Sequence, residues 1–182
     1  MFEKLLERIT GKLKKLKISY MVIGGQAVLL YGEPRLTKDI DITLGVDIDS
    51  FFAIESMAAK ANLKPLVENA SAFVNKTYVY PCEDKNSGIR IDFIFSNSLY
   101  EKTAIKRARK IKIGKSFIKF ASPEDIIIHK IIAGRPVDMK DAENISLKQS
   151  KLNRAYILQW LKKFEITLNK NFTQTFKNMP SS

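Results

Sequence analysis

Cysteine and histidine are almost missing: one of each, Cys82 and His129, occurs in 182 residues. A lone cysteine excludes an internal disulfide, and the pair offers no spacing for a thiolate or imidazole metal cage. Long apolar runs are also lacking. None approaches the roughly 20 residues of a membrane span. The opening stretch MFEKLLERITGKLKKLKISY has neither the continuous apolar core nor the small-residue cleavage site of a secretory signal. The expectation is a cytoplasmic protein with no membrane association. No internal repeat, heptad or low-complexity linker is present, which excludes solenoids and coiled coils.

Acid is in short supply too. There are 19 Asp and Glu against 31 Lys and Arg, for a net charge of +12. The imbalance peaks between Lys102 and Lys119, where Lys102, Lys106, Arg107, Arg109, Lys110, Lys112, Lys115 and Lys119 occur with no acid among them. Such a segment attracts polyanions through a salt-sensitive field, or it is a solvated face of a lysine-rich chain. What remains is ordinary for a globular fold: 45% hydrophobic and 27% charged residues.

Periodicity divides the chain into a mixed part and a helical part. Phe2, Leu5, Leu6, Ile9, Leu13 and Leu16 recur at helical spacing, predicting a helix over 2–17. YMVIGG reads as a strand entering a Gly-Gly turn, QAVLLYG as two helical turns closed by Gly32, and DIDITL as a strand. A helix over 51–61, strands TYVY and IRIDFIF, a helix over 99–108 and a hairpin around Gly114-Lys115 follow. PCEDKNSG reads as a turn that includes Cys82.

Ser122, Pro123 and Asp125 form a helix-start signature, and Arg135-Pro136 should end that helix. Further helices are expected over 138–148 and in LNRAYILQWLKKFEITL, with a frayed tail from Asn169. The fold class is therefore α+β, a mixed sheet with flanking helices. Residues 1–121 form the core, and 122–182 a helical C-terminal part.

The stretch VIGGQAVLLYGEPRLTKDIDITL carries the chemistry. Two glycines between strand and helix leave free amides at a helix start, which suits phosphate but also describes a plain tight turn. In DIDIT, alternation puts Asp39 and Asp41 on one face and Ile40 and Ile42 on the other. The two acids are either solvated on an open strand face or aimed at a hard cation. IRIDFIF places a third acid, Asp92, inside an apolar strand, on the face of Arg90 and Ile94. If that strand lies beside the first, three carboxylates converge. At an effective dielectric near 20, two such charges 4 Å apart repel by roughly 4 kcal/mol. A divalent metal relieves this, and oxygen-only ligands suit Mg²⁺ or Mn²⁺.

Gly24, Gly25, Ala27, Gly32, Arg35, Thr37, Asp39 and Asp41, in the order G-G-x-A-x-x-x-x-G-x-x-R-x-T-x-D-I-D, resemble the nucleotidyltransferase superfamily of DNA polymerase β type, and within it the minimal AbiEii-type enzymes. PEDIIIHKIIAGRPVDMKDAENI is similar to that family's downstream motif through Lys130, Ala133, Arg135, Asp138 and Asp141. The resemblance covers about residues 18–148. It implies a metal site of Asp39, Asp41 and Asp92, with Lys130 beside them in catalysis. It also implies a nucleotide site of Gly24, Gly25, Gln26, Arg35, Thr37, Lys130, Arg135, Asp138 and Asp141. The implied reaction is Mg²⁺-dependent transfer of a nucleoside monophosphate from an NTP to a hydroxyl of RNA, tRNA, protein or a small molecule. The alternative is a catalytically silent nucleotide- or RNA-binding module with an antitoxin or other partner protein.

For Lys130, Asp138 and Asp141, an ion-paired helix surface with Arg135 is the competing reading. Arg35 could grip a phosphate bidentately or pair with Glu33 or Asp39. His129 is expected to pack rather than act as a base. Trp160, Phe164, Ile157 and Leu161 are read as core or interface. Tyr78 and Tyr80 share a strand face, fitting sheet packing or base stacking.

Overall fold

The computed structural model describes residues 2–34, 36–96 and 98–180. The chain divides into two compact units, one made of Met1–Gln26 and Thr37–Ala121, the other of Ala27–Leu36 and Ser122–Ser182.

In the first unit, helix α1 (Phe2–Lys15) buries Leu5, Leu6, Ile9 and Leu13, the stripe its periodicity predicts. Strand β1 (Tyr20–Ile23) is buried throughout and runs directly into α2 (Gly24–Tyr31), the helix within which the two units part. The remaining strands are β2 (Asp39–Leu44), β3 (Leu63–Pro65), β4 (Val79–Asp84), β5 (Arg90–Phe95), β6 (Arg109–Ile113) and β7 (Ser116–Phe120). Between them lie α3 (Phe51–Lys60), α4 (Ala70–Thr77) and α5 (Leu99–Arg107).

The strands form one mixed sheet in the order β3-β4-β5-β2-β1-β7-β6. β2 is flanked by β1, antiparallel, and by β5, parallel. This parallel pairing supplies the adjacency on which convergence of the acids depends. Ile40, Ile42, Ile91 and Phe93 are fully buried on the opposite face, which fixes the register because a one-residue slip would put the acids in the core.

Three local expectations change. Cys82 lies in β4 rather than in a turn, fully buried, and burial pushes its thiol up to about 12. The turn is confined to residues 85–88, where Asp84 accepts from the Ser87 hydroxyl and from Arg8. Tyr78 is the left-handed cap of α4 and not a strand residue. Tyr80 is instead packed edge-on to Phe51 and stacked on Phe93, which leaves sheet packing as its role.

The second unit is helical around α6 (Pro123–Ala133). The Ser122 hydroxyl accepts from the Asp125 amide and donates to the Asp125 carboxylate, satisfying the helix start. Gly134, left-handed at φ 67°, closes α6, and Pro136 opens α7 (Pro136–Lys148). In α8 (Arg154–Leu168), Ile157, Trp160 and Leu161 are buried as predicted. The tail does not fray at Asn169. Asn171 caps α9 (Phe172–Lys177), Phe172 and Phe176 are buried, and Glu165 accepts from both the amide and the hydroxyl of Thr173. Ala27–Leu36 belongs to this unit through Lys148 Nζ and Gln149 Nε2, which donate to the carbonyls of Gly32 and Tyr31.

Candidate active site

Register settles the geometry of the first cluster. Asp41 is the direct partner of Asp92 across β2 and β5, and Asp39 is the partner of Arg90. Strand alternation places all four side chains on one face. The Asp92 side chain is 16% exposed, and its Oδ1 accepts from Arg90 Nε at 2.9 Å. Asp39 accepts from the Thr37 hydroxyl at 3.0 Å, which orients it as the chain enters β2.

The glycines are explained by what lies against them. A Cβ on Gly24, whose φ is +64°, would fall 1.9 Å from Asp41 Oδ2. A Cβ on Gly25 would fall 2.3 Å from Thr37 Oγ1. Only glycine lets the start of α2 come so close to the acids. That start also carries amides with the positive end of the helix dipole, so N–H donors suited to phosphate and carboxylates meet at one place.

Arg90 is the residue that sequence reasoning passed over. Its pKa is raised, first by the hydrogen bond to Asp92, against partial burial, and further by the charges of Asp92, Asp39 and Asp41. Carboxylates sharing one strand face repel one another, a cost that a divalent cation would relieve. Among the described residues, no group of three or more acidic, histidine or cysteine side chains is assembled as a metal cage. The three aspartates thus share a strand face without forming the ready-made three-carboxylate cage expected of them. One or two carboxylates with substrate phosphates are a common donor set for a hard divalent ion. The donor set therefore fits a hard divalent ion that arrives with a nucleotide.

The downstream motif forms its own cluster in the second unit. Lys130 Nζ, on a side chain only 7% exposed, lies 2.7 Å from Asp138 Oδ1 and 2.9 Å from Asp141 Oδ2. Arg135, 71% exposed, donates from Nε to Asp138 Oδ2 at 2.5 Å. Two acids and two bases balance, so each buried charge is compensated. Burial pushes the Asp138 carboxyl up, but hydrogen bonds from Arg135 and Lys130 outweigh it and hold the group below the usual carboxylate range. The four side chains form one ion-paired cluster whose lysine is buried rather than solvated on a helix surface. Arg35 lies outside the described residues. Glu33, one candidate partner for it, is paired with Lys148 at 2.7 Å.

No curated relative matches the chain. Three solved structures share its fold at low identity. An antigenic nucleotidyltransferase-like protein from Paracoccidioides brasiliensis is 16% identical with a TM-score of 0.58, covering 99% of this chain and 94% of that one. ANT(2")-Ia, in complex with adenylyl-2"-tobramycin, is 14% identical with a TM-score of 0.62, covering 91% and 98%. The lincosamide antibiotic adenylyltransferase LnuA, lincomycin-bound, is 18% identical with a TM-score of 0.55, covering 78% and 94%. A family model matches residues 1–177, nearly the whole length. With the glycine turn, the paired aspartate strands and that match in hand, the chain belongs to the family described as nucleotidyltransferase of unknown function, DUF6036.

Proposed function

We propose that the chain is a Mg²⁺-dependent nucleotidyltransferase that moves a nucleoside monophosphate from an NTP to an acceptor hydroxyl, releasing pyrophosphate. The observation that carries this reading is the register of Asp41 with Asp92, with Asp39 on the same face. The acceptor oxygen forms a bond to the α-phosphorus, the bond from that phosphorus to the pyrophosphate oxygen breaks, and the hydroxyl proton leaves. In this reading Asp92 takes the proton once Arg90 yields its oxygen. Asp39 and Asp41, with Asp92, would hold Mg²⁺ or Mn²⁺, which supplies neutralisation of charge on the attacking and leaving oxygens.

The chain's own work is positioning. The amides at Gly24, Gly25 and Gln26 cradle the triphosphate, Thr37 holds Asp39 in line, and Arg35 grips a phosphate oxygen. In the second unit, Arg135, exposed though ion-paired to Asp138, offers a guanidinium to a phosphate. Asp138 and Asp141 brace Lys130, whose ammonium serves the nucleotide through the same network. His129 has no part in this scheme.

Incubation with each labelled NTP, Mg²⁺ and RNA, protein and small-molecule acceptors tests the reading. Label transfer should require Mg²⁺ and fall by at least about a hundredfold in Asp41→Ala, the loss typical of a removed electrostatic stabiliser. Absence of transfer to every acceptor, with NTP binding indifferent to Mg²⁺ and to Asp39→Ala, would instead identify a silent binding module.

A further inference from the structure

The face of the sheet that carries the acids carries something else. β1 is joined on its far side to β7, with Val22 opposite Phe120. Val22 is also opposite Ile42, so Phe120 and Ile118 project with the isoleucines of β2. Lys119 and Phe117 therefore project with Asp39, Asp41 and Asp92. Across the β6–β7 hairpin, Lys110 is opposite Lys119 and Lys112 is opposite Phe117, which adds two more lysines to that face. Burial agrees: Ile118 and Phe120 are buried, whereas Phe117 is 55% exposed.

Fold stability does not account for this arrangement. Two lysines directly opposite each other repel. None of Lys110, Lys112 and Lys119 has an ion-pair partner among the described residues. Lysine on an edge strand deters unwanted pairing, which explains Lys110 and Lys112, since β6 ends the sheet. It does not explain Lys119 on the inner strand, and an exposed phenyl ring works against the same purpose. An aromatic ring set among unpaired cations is, however, the combination that binds unpaired nucleotides, with bases stacking on the ring and phosphates neutralised around it.

We propose that this face of the β6–β7 hairpin is a docking track for a single-stranded nucleic acid whose terminal hydroxyl is the acceptor. Lys110, Lys112 and Lys119 meet phosphates, and Phe117 stacks on a base. β7 lies two strand spacings from β2, roughly 10 Å, and Lys119 and Phe117 stand two and four residues along β7 from the level of Asp41, roughly 7 and 13 Å. The terminal nucleotides must therefore extend past the track and around buried Met21 and Thr43 to reach the carboxylates. The inference rests on the nucleotidyltransferase reading for the acceptor role, but the docking surface is testable without catalysis.

The test is fluorescence anisotropy with a labelled oligoadenylate of about 12 nucleotides, as RNA and as DNA, over a salt series. The protein should bind both unpaired strands and prefer them to a duplex. Lys110→Ala, Lys112→Ala and Lys119→Ala should each flatten the log–log salt dependence by about 0.7. Phe117→Ala should weaken binding about 5- to 100-fold with the salt slope unchanged. A triple Lys→Arg variant should retain affinity, and circular dichroism should show all variants folded.

No binding at about 50 mM salt, affinity unchanged across the variants, or tighter capture of duplex or polyglutamate would overturn the proposal. Asp41→Ala should bind the oligonucleotide normally. Transfer to small molecules by a protein that binds no oligonucleotide would count against the docking track alone. Binding by a protein that transfers to nothing would leave the surface standing and remove its acceptor role.

Discussion

Asp41 and Asp92 sit directly opposite each other on adjacent parallel strands, like charge facing like charge, and Arg90 Nε holds the second of them at 2.9 Å. This pairing is unfavourable for a bare sheet. A cation between the strands would relieve it, and on the proposed reading the guanidinium and the metal would then compete for Asp92.

That competition has a measurable sign. Arg90→Gln should lower the Mg²⁺ concentration that half-saturates thermal stabilisation by about fivefold, the equivalent of ~1 kcal/mol for a partly exposed pair. A thermal-shift titration with and without NTP reads this directly. Unchanged or weaker Mg²⁺ binding would show that Arg90 is part of the cation site and not its rival.

The glycines separate into classes that a substitution series can resolve. Gly24→Ala meets both a φ of +64° and the Asp41 carboxylate, while Gly88→Ala, at φ +68°, meets nothing within 4 Å. Backbone strain alone costs about 1–3 kcal/mol. Gly24→Ala should exceed Gly88→Ala in lost stability and should also abolish nucleotide binding. Gly11→Ala, inside α1 with open space around it, should stabilise by about 0.5–1 kcal/mol. Urea melts of the three variants test the ranking, and equal losses at Gly24 and Gly88 would contradict the close approach.

Acid should undo the second unit through Asp138. Its carboxyl titrates below the usual range when folded, so it contributes stability that is present above the unfolded value of about 3.9. That contribution is lost as pH falls from there through the lower folded value. Asp138→Asn should flatten this part of the pH–stability curve. At neutral pH it should cost about 3–5 kcal/mol, because buried Lys130 keeps only Asp141. Denaturant midpoints from pH 7 down to pH 2 would show it, and an unchanged acid limb would exclude Asp138 as its source.

The acids and glycines were legible because strand alternation is strict: DIDIT and IRIDFIF each declare which residues share a face. Their adjacency was a condition that only tertiary pairing could meet. Arg90 was visible on the face of Asp92, yet nothing in the sequence says that a guanidinium two residues away bends back to its neighbour. Cys82 was misplaced because Pro81, Asp84 and Gly88 make the segment look like a turn. In fact Pro81 is accommodated in β4 opposite Asp92. The α9 helix was missed because six residues hold too few turns to show a period, and burial of Phe172 and Phe176 stabilises it rather than intrinsic propensity. Lys130 was legible as a motif residue of the downstream helix. Its enclosure by two carboxylates is a packing outcome that spacing alone does not decide.

The assignment of Ala27–Leu36 to the second unit bears on how the chain matures during synthesis. The segment between the glycine turn and β2 is anchored by Lys148 and Gln149, more than a hundred residues downstream. While the polypeptide emerges from the ribosome, the strands through Phe120 can pair, but the Tyr31 and Gly32 carbonyls wait for the Gln149 and Lys148 donors until α7 and the residue after it have been translated. A nascent chain arrested near residue 121 should therefore present its two aspartates on a formed sheet beside a loose glycine turn. On the proposed reading, competence to hold a triphosphate would be among the last properties the protein acquires.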